Sequence, residues 1–309
     1  MPPRVLTVSP QEGGQKLLQF LARRLDIPQS MFHRWIRTGQ VRRNGARCKA
    51  FDRVQEGDEI RVPPFAEAIA QRDPNKGSAA PLPALLYKDE NLFIFNKPAG
   101  LAVQAGTGHE DNLAKRLAIH CTTDTFRPTP AHRLDRDTSG IILVARSYAM
   151  LSQLHGAFRE REGIVKEYLA WVSGAWPYDT PQTLEDKMAK VADARGYERM
   201  AVGQIEQGAD ASCTVTLLHR YPTRSLVLVR LHTGLTHQIR VQLSSRGFPL
   251  IGDMKYGGPA LHQDAPHKTG TGMMLHAVRV RLPWGDVHTC LPDWTGTHAL
   301  PQGCSLPPL

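Results

Sequence analysis

Between residues 63 and 84 the chain carries five prolines (Pro63, Pro64, Pro74, Pro81 and Pro83) among small residues (Gly77, Ser78, Ala79, Ala80), with no periodic apolar pattern. Such a stretch supports neither helix nor strand, because proline removes backbone donors and small residues bury little. It divides the 309 residues into a first segment 1–63, a linker 64–84 and a remainder 85–309, long enough for one small and one large core. Charge follows the same division. Residues 1–63 hold twelve Lys and Arg against six Asp and Glu, so two thirds of the net +9 lies in one fifth of the chain. No acid falls between Asp26 and Asp52, whereas Arg34, Arg37, Arg42, Arg43, Arg47 and Lys49 do. That makes either a surface for a phosphate backbone or a solvated basic face.

Composition excludes several classes. With 41% hydrophobic and 22% charged residues the chain is neither wholly disordered nor collagen-like. No run approaches the roughly 18 apolar residues of a membrane span, and MPPRVLTVSPQEGG has no signal-peptide core, so the expectation is a cytoplasmic protein with no membrane partner. Cys48, Cys121, Cys213, Cys290 and Cys304 form no C-x-x-C pair and read as reduced thiols.

In the first segment Leu17, Leu18, Leu21 and Leu25 predict an amphipathic helix over about 14–25. Pro28 opens a second helix with Met31, Trp35 and Ile36 inside, His33, Arg34 and Arg37 outside, and Gly39 as its stop. Val41-Arg42-Arg43 then leads into an Asn44-Gly45 turn, and Glu59 to Val62 alternates as a strand. From Leu85 onward strands are predicted at 85–87, 92–95, 141–145, 165–172, 211–218 and 225–232. Two helices are predicted, one capped by Ser147 and one over about 236–246. Short turns between the strands point to antiparallel pairing and an α+β domain.

The chemistry centres on His132-Arg133-Leu134-Asp135-Arg136-Asp137-Thr138-Ser139-Gly140, a polar loop entering the apolar strand 141–144. From composition alone it is a solvated loop. HRLDRDTSG nevertheless resembles the signature of the RluA/RluC/RluD superfamily of pseudouridine synthases, with Asp135 on that family's catalytic aspartate. Further similar segments follow in the family's order: FNKPAGL at 95–101, Lys166-Glu167-Tyr168, TGLTHQIR at 233–240, Ile251-Gly252-Asp253 with Tyr256-Gly257, and Leu275-His276-Ala277. The phrases GQVRRNG at 39–45 and EGDEIRVP at 56–63 resemble an S4-like RNA-binding domain. Together they are most similar to the RluC-type large-subunit enzymes, departing at Leu235, where that family usually has Arg, and Gln242, where it usually has His.

The resemblance implies an α+β, mostly antiparallel mixed-sheet catalytic domain at 85–309 behind a small S4-like α/β domain. It also implies a monomeric, cofactor-free enzyme that isomerises uridines of 23S ribosomal RNA. Asp135, Tyr168 and Arg240 would be catalytic: Arg240 pairs with Asp135, and Tyr168 lies against the uracil. Arg133 would fill the stack vacated by the flipped base, with Leu275 and the basic residues Arg34, Arg37, Arg42 and Arg43 also binding substrate. The isomerisation breaks the N-glycosidic bond, turns the base and rejoins it through C5, so it calls for no redox agent. A carboxylate suits it as nucleophile at sugar or base, or as base in a glycal route. By pattern alone Tyr168 is a core tyrosine, Arg240 a surface arginine, and Lys97-Pro98 the shaper of a turn. His237 and His276 are structural rather than metal ligands, since no H-x-x-x-H spacing accompanies them. Two other readings stand beside the enzyme: an inactive S4-like RNA-binding or ribosome-assembly protein, and a hydrolase using Asp135 and Asp137 as a carboxylate pair.

Overall fold

The computed structural model describes residues 4–25, 27–64, 80–104, 111–122, 125–160, 163–192, 198–203, 208–257 and 272–309. Contacts gather the chain into two compact units. One comprises Met1–Ile94, Gln104–His132 and Leu143–Gly156, and the other Phe95–Val103, Arg133–Ile142 and Ala157–Leu309. Most of the proline-rich segment, residues 65–79, lies outside the described residues.

The first unit opens with β1 (Arg4–Thr7), α1 (Leu17–Arg24), α2 (Gln29–Arg37), β2 (Arg42–Arg43), β3 (Ala46–Arg47) and β4 (Glu59–Val62). The strands pair antiparallel in the order β1-β4-β2-β3. Leu17, Leu18 and Leu21 of α1 and Trp35 and Ile36 of α2 are buried, as their spacing requires, and Phe32 is fully buried beside them. His33, Arg34 and Arg37 are exposed. Asn44 and Gly45, at φ 49° and 78°, form the left-handed pair of a tight hairpin turn. β1 gives no alternating signal because only Leu6 points inward.

The same unit takes in β5 (Ala84–Lys88), the first half of β6 (Leu92–Lys97), α3 (Leu113–His120), β7 (Thr129–Pro130), the end of β8 (Ser139–Ala145) and most of α4 (Tyr148–Glu160). Ser147 Oγ accepts the Met150 N–H at 3.2 Å, the cap expected for α4. Asn112 caps α3 in the same way, accepting from Lys115 N at 2.9 Å. The Tyr148 ring stands 3.6 Å from where a Cβ on Gly14 would be. The Arg23 guanidinium lies over Phe126 at 5.0 Å.

In the second unit β9 (Val165–Ser173), β10 (Gln182–Ala192), β11 (Glu198–Val202), β12 (Ala209–Arg220), β13 (Arg224–Leu231) and β14 (Leu275–Arg281) join the start of β8 in the order β11-β10-β12-β13-β9-β14-β8. Every pair is antiparallel except β14 with β8, which is parallel through His276 to Ser139 and Ala277 to Gly140, so the sheet is mixed. Gly140, at φ 107°, makes this approach possible: a Cβ there would sit 2.3 Å from the Ala277 carbonyl oxygen. The strands β10, β11 and β14 are additions to the sequence reading. In QTLEDKMAKVA only Leu184 and Met188 are buried, four residues apart, a spacing that mimics a helix face. A short helix α5 (Gln238–Ser244) follows β13, narrower than the predicted 236–246.

One face of β9 is covered by the C-terminal segment rather than by a helix. Trp294, Leu300 and Leu306 pack on Leu169, Trp171 and Val278, and the Trp171 Nε1–H donates to the His298 carbonyl at 2.8 Å. Glu167, 1% exposed, is neutralised by both Arg230 and Arg279.

His276 on β14 is 2% exposed. Its Nε2 is 2.9 Å from the Cys290 carbonyl and its Nδ1 2.8 Å from Ser139 Oγ, a fit for the neutral ring. Burial pulls its pKa from the ordinary 6.5 to about 4. The unfolded chain therefore binds a proton below pH 6.5 that the folded protein refuses until about pH 4, and stability falls on acidification through that window. Denaturant titrations should show the protein losing about 2 kcal/mol between pH 7 and pH 5 from this residue. That part of the slope should disappear in His276→Gln; an equally steep profile in the variant would assign the slope elsewhere.

Candidate active site

The loop 133–138 leads directly into β8, and its turn is closed by the Thr138 N–H donating to the Asp135 carbonyl at 3.2 Å. Leu134 is buried and anchors the loop, Arg133 is exposed, and the Asp135 side chain is 17% exposed. The loop is held from below by Lys97, at the end of β6. This side chain is fully buried, and its ammonium donates to the carbonyls of Pro98, Leu101 and Arg136 at 3.0, 2.8 and 2.9 Å. Burial lowers its pKa to about 7 against the pull of Asp137 and Asp135. Lys97 thus does more than shape its own turn. With the Gly100 N–H, which also donates to the Arg136 carbonyl at 2.9 Å, it fixes the Asp135 loop.

Arg240 departs furthest from its pattern-based reading. It projects from α5, whose residues 238 to 243 are all buried, and is itself only 8% exposed. Nε and Nη2 donate to the two oxygens of Asp253, both at 2.8 Å, while Nη1 donates to Asp135 Oδ2 at 3.0 Å. Burial alone would lower the guanidinium's pKa; the Asp253 and Asp135 carboxylates outweigh it and raise it. Asp253 also accepts the backbone N–H groups of Lys255 and Tyr256, so despite the opposing effect of burial its pKa is lowered. Asp253 was quoted in the sequence only as part of a segment. No local signal in the sequence singles it out, because the burial of Arg240 that demands a second acid arises only in the fold.

Tyr168, on β9, is 7% exposed. Burial, and then the nearby Asp135 charge, push its phenol far above the ordinary value, so it is a neutral ring beside the carboxylate. His237 precedes α5 in a left-handed conformation, with Nε2 3.8 Å from Asp135 Oδ2 and Nδ1 2.8 Å from the Tyr256 hydroxyl. The hydrogen bonds of both His237 and His276 are thus to protein oxygens. Asp137 pairs with Arg136 at 2.9 Å, not with Arg240, so the two carboxylates of the loop take different partners.

The structure therefore brings Asp135, Arg240 and Tyr168 together and adds Asp253 and His237. Leu275 is 4% exposed and lies opposite Ala170 of β9, a packed position. Gln242 is fully buried: its amide nitrogen donates to Asp186 at 2.7 Å, and its oxygen accepts from Gln238 at 3.0 Å. The departure from the family pattern at that position therefore concerns support of α5, not an exposed surface. In the first unit the basic residues differ. Arg34 and Arg37 are exposed and form no ion pair among the described residues, whereas Arg43 is bound to Asp58 at 2.7 Å and Arg42 donates to the Gly39 carbonyl at 3.2 Å.

The chain is similar to known proteins over most of its length. Residues 91–245 match the RNA pseudouridylate synthase family model. The chain is 33% identical over 289 residues to the Escherichia coli protein named Ribosomal large subunit pseudouridine synthase C, covering 90% of this chain and 88% of that protein. A protein of the same name from Pasteurella multocida is 34% identical over 290 residues, covering 90% and 86%. Among solved structures, Human RNA Pseudouridylate Synthase Domain Containing 1 aligns with a TM-score of 0.57 and 26% identity over 71% of this chain and 86% of that one. The chain belongs to the RNA pseudouridylate synthase family, in its RluA/RluC type, and is an RNA pseudouridine synthase.

Asp253→Asn should leave Arg240 with a poorer, neutral partner and let it shift toward Asp135. Single-turnover pseudouridine formation should fall about 10²-fold, the scale of removing one preorganised charge partner. RNA affinity in a filter-binding titration should change little; an unchanged rate would mean that Asp253 serves stability alone.

Proposed function

We propose that this protein converts specific uridines to pseudouridine in 23S ribosomal RNA, with Asp135 as the reacting carboxylate and no cofactor. The observation that carries the reading is the run Asp253–Arg240–Asp135, in which a buried guanidinium fixes one carboxylate at a partly open position. In the reaction N1–C1′ breaks, C5–C1′ forms, and the proton on C5 is replaced by one on N1. Atoms and oxidation level are unchanged, so a carboxylate able to act at the glycosidic bond suffices. Tyr168 presents a neutral ring that can lie against the turning uracil. Arg133, exposed on the same loop, can occupy the gap left by an extruded base. The relatives are named for the ribosomal large subunit, which supports large-subunit ribosomal RNA as the substrate class and the cytoplasm as the place of action.

Residues 4–64, with two helices on a four-stranded sheet and a net positive charge, are read as the S4-like module of a monomeric enzyme, holding RNA through the exposed Arg34 and Arg37. Arg42 and Arg43 serve the module's own hairpin at least as much as RNA.

Two measurements test this reading. Asp135→Asn should keep its fold and RNA affinity and lose turnover altogether; pseudouridine formation by the purified variant would reject the assignment. Changing Arg34 and Arg37 together to Gln should flatten the slope of log K against log salt by about 1.4 to 1.8, since each phosphate contact contributes about 0.7 to 0.9. An unaltered slope would make this face merely solvated.

A further inference from the structure

We propose that His237 is a second catalytic residue of this site, taking through Nε2 the proton that must leave C5 of the uracil and returning it to N1. The inference rests on the pseudouridine synthase reading above and goes beyond it, because Asp135, Arg240 and Tyr168 leave that proton without an assigned acceptor.

Among the described residues, the imidazole is hydrogen-bonded through Nδ1 only. Nδ1 is 2.8 Å from the Tyr256 hydroxyl, the two rings meet edge to face, and the Met200 N–H donates to the same hydroxyl at 3.3 Å. The other nitrogen, Nε2, faces Asp135 at 3.8 Å, beyond hydrogen-bonding distance, with a fifth of the side chain exposed. The backbone pays for this placement. His237 has φ 57°, and among the described residues the only other non-glycine residue with positive φ is Asn44, in a hairpin turn. The next residue, Gln238, is tied down: its Oε1 accepts from Thr233 Oγ1 and Leu235 N at 2.8 and 3.0 Å and its Nε2 donates to the Ser212 carbonyl at 3.1 Å. A histidine in a rare backbone conformation, with one nitrogen that takes no hydrogen bond among the described residues and faces the reacting carboxylate, is the arrangement a proton-transfer group requires. Burial, Arg240 and Lys255 favour the neutral ring, while Asp135 and Asp253 favour the protonated one; burial is the largest of these and the pKa lies below the ordinary value.

The step balances by itself. Once C5 has bonded to C1′, the ring carries both the sugar and hydrogen at C5 and a double bond between N1 and C6. The C5–H pair becomes the C5–C6 double bond, the N1–C6 π pair becomes a lone pair on N1, and the proton passes to Nε2 and from there to N1. No oxidant or co-reactant takes part, and the step is the same whether Asp135 acts as nucleophile or as base in a glycal route.

The experiment is a single-turnover assay on an RNA fragment carrying protium or deuterium at C5 of the target uridine. Asparagine tolerates the left-handed conformation, so His237→Asn should remain folded. It should turn over about 100-fold more slowly and show a primary deuterium isotope effect larger than that of the wild type, because C5–H cleavage becomes limiting. His237→Gln should show the same increase, so a folding defect in one variant does not decide the matter. An isotope effect in both variants equal to the wild-type value overturns the inference, whatever the rate, because a residue that only positions Asp135 would slow turnover without exposing this step. Absence of pseudouridine from the wild-type reaction would instead overturn the functional reading, and the inference with it.

Discussion

The second unit is organised around one buried cation. A guanidinium 8% exposed loses most of its hydration, at a cost of several kcal/mol that only close, well-oriented acids offset. Arg240 meets that requirement with a two-pronged bond to Asp253 and a single bond to Asp135. Three segments remote in sequence, the loop at 133–138, the helix at 238–244 and the turn at 253–256, are thereby fixed to one point. The asymmetry of the bonding matters for chemistry. Asp253 accepts from four donors, whereas the Asp135 side chain accepts a single bond from Arg240.

Polar groups in the interior support this centre instead of packing alone. Lys97 binds three carbonyls and ties the turn after β6 to the Asp135 loop. Gln238 and Gln242 bind each other and, through Asp186, Ser212 and Thr233, hold the base of α5 against β10 and β12. Such networks are directional, so they set a side chain's position more narrowly than apolar contacts of the same size do. The site is consequently preformed, with its charges oriented before any substrate arrives.

Much of this was legible in the sequence where the signal is local. The apolar spacing of Leu17, Leu18, Leu21, Trp35 and Ile36 predicted two helices correctly, and Asn44-Gly45 predicted the hairpin. The HRLDRDTSG, K-x-Y and TGLTHQIR phrases placed Asp135, Tyr168 and Arg240 on the list of candidates before any coordinates. Elements whose signal is not local were missed. β10 buries only two of its eleven residues, at a helical interval, and β1 turns a single residue inward.

The sequence by itself determined which residue types the chain has to work with and the short-range geometry of their segments, because turn chemistry, caps and amphipathic periodicity act over a few residues. It could not decide that Arg240 is buried, that Asp253 rather than Asp137 is its second acid, or that Gln242 faces inward. Those outcomes depend on contacts spanning 13 to 105 residues of chain. Tertiary structure decided them because the free energy of a charged side chain is set by which groups surround it once water is removed, and sequence spacing carries no record of that neighbourhood.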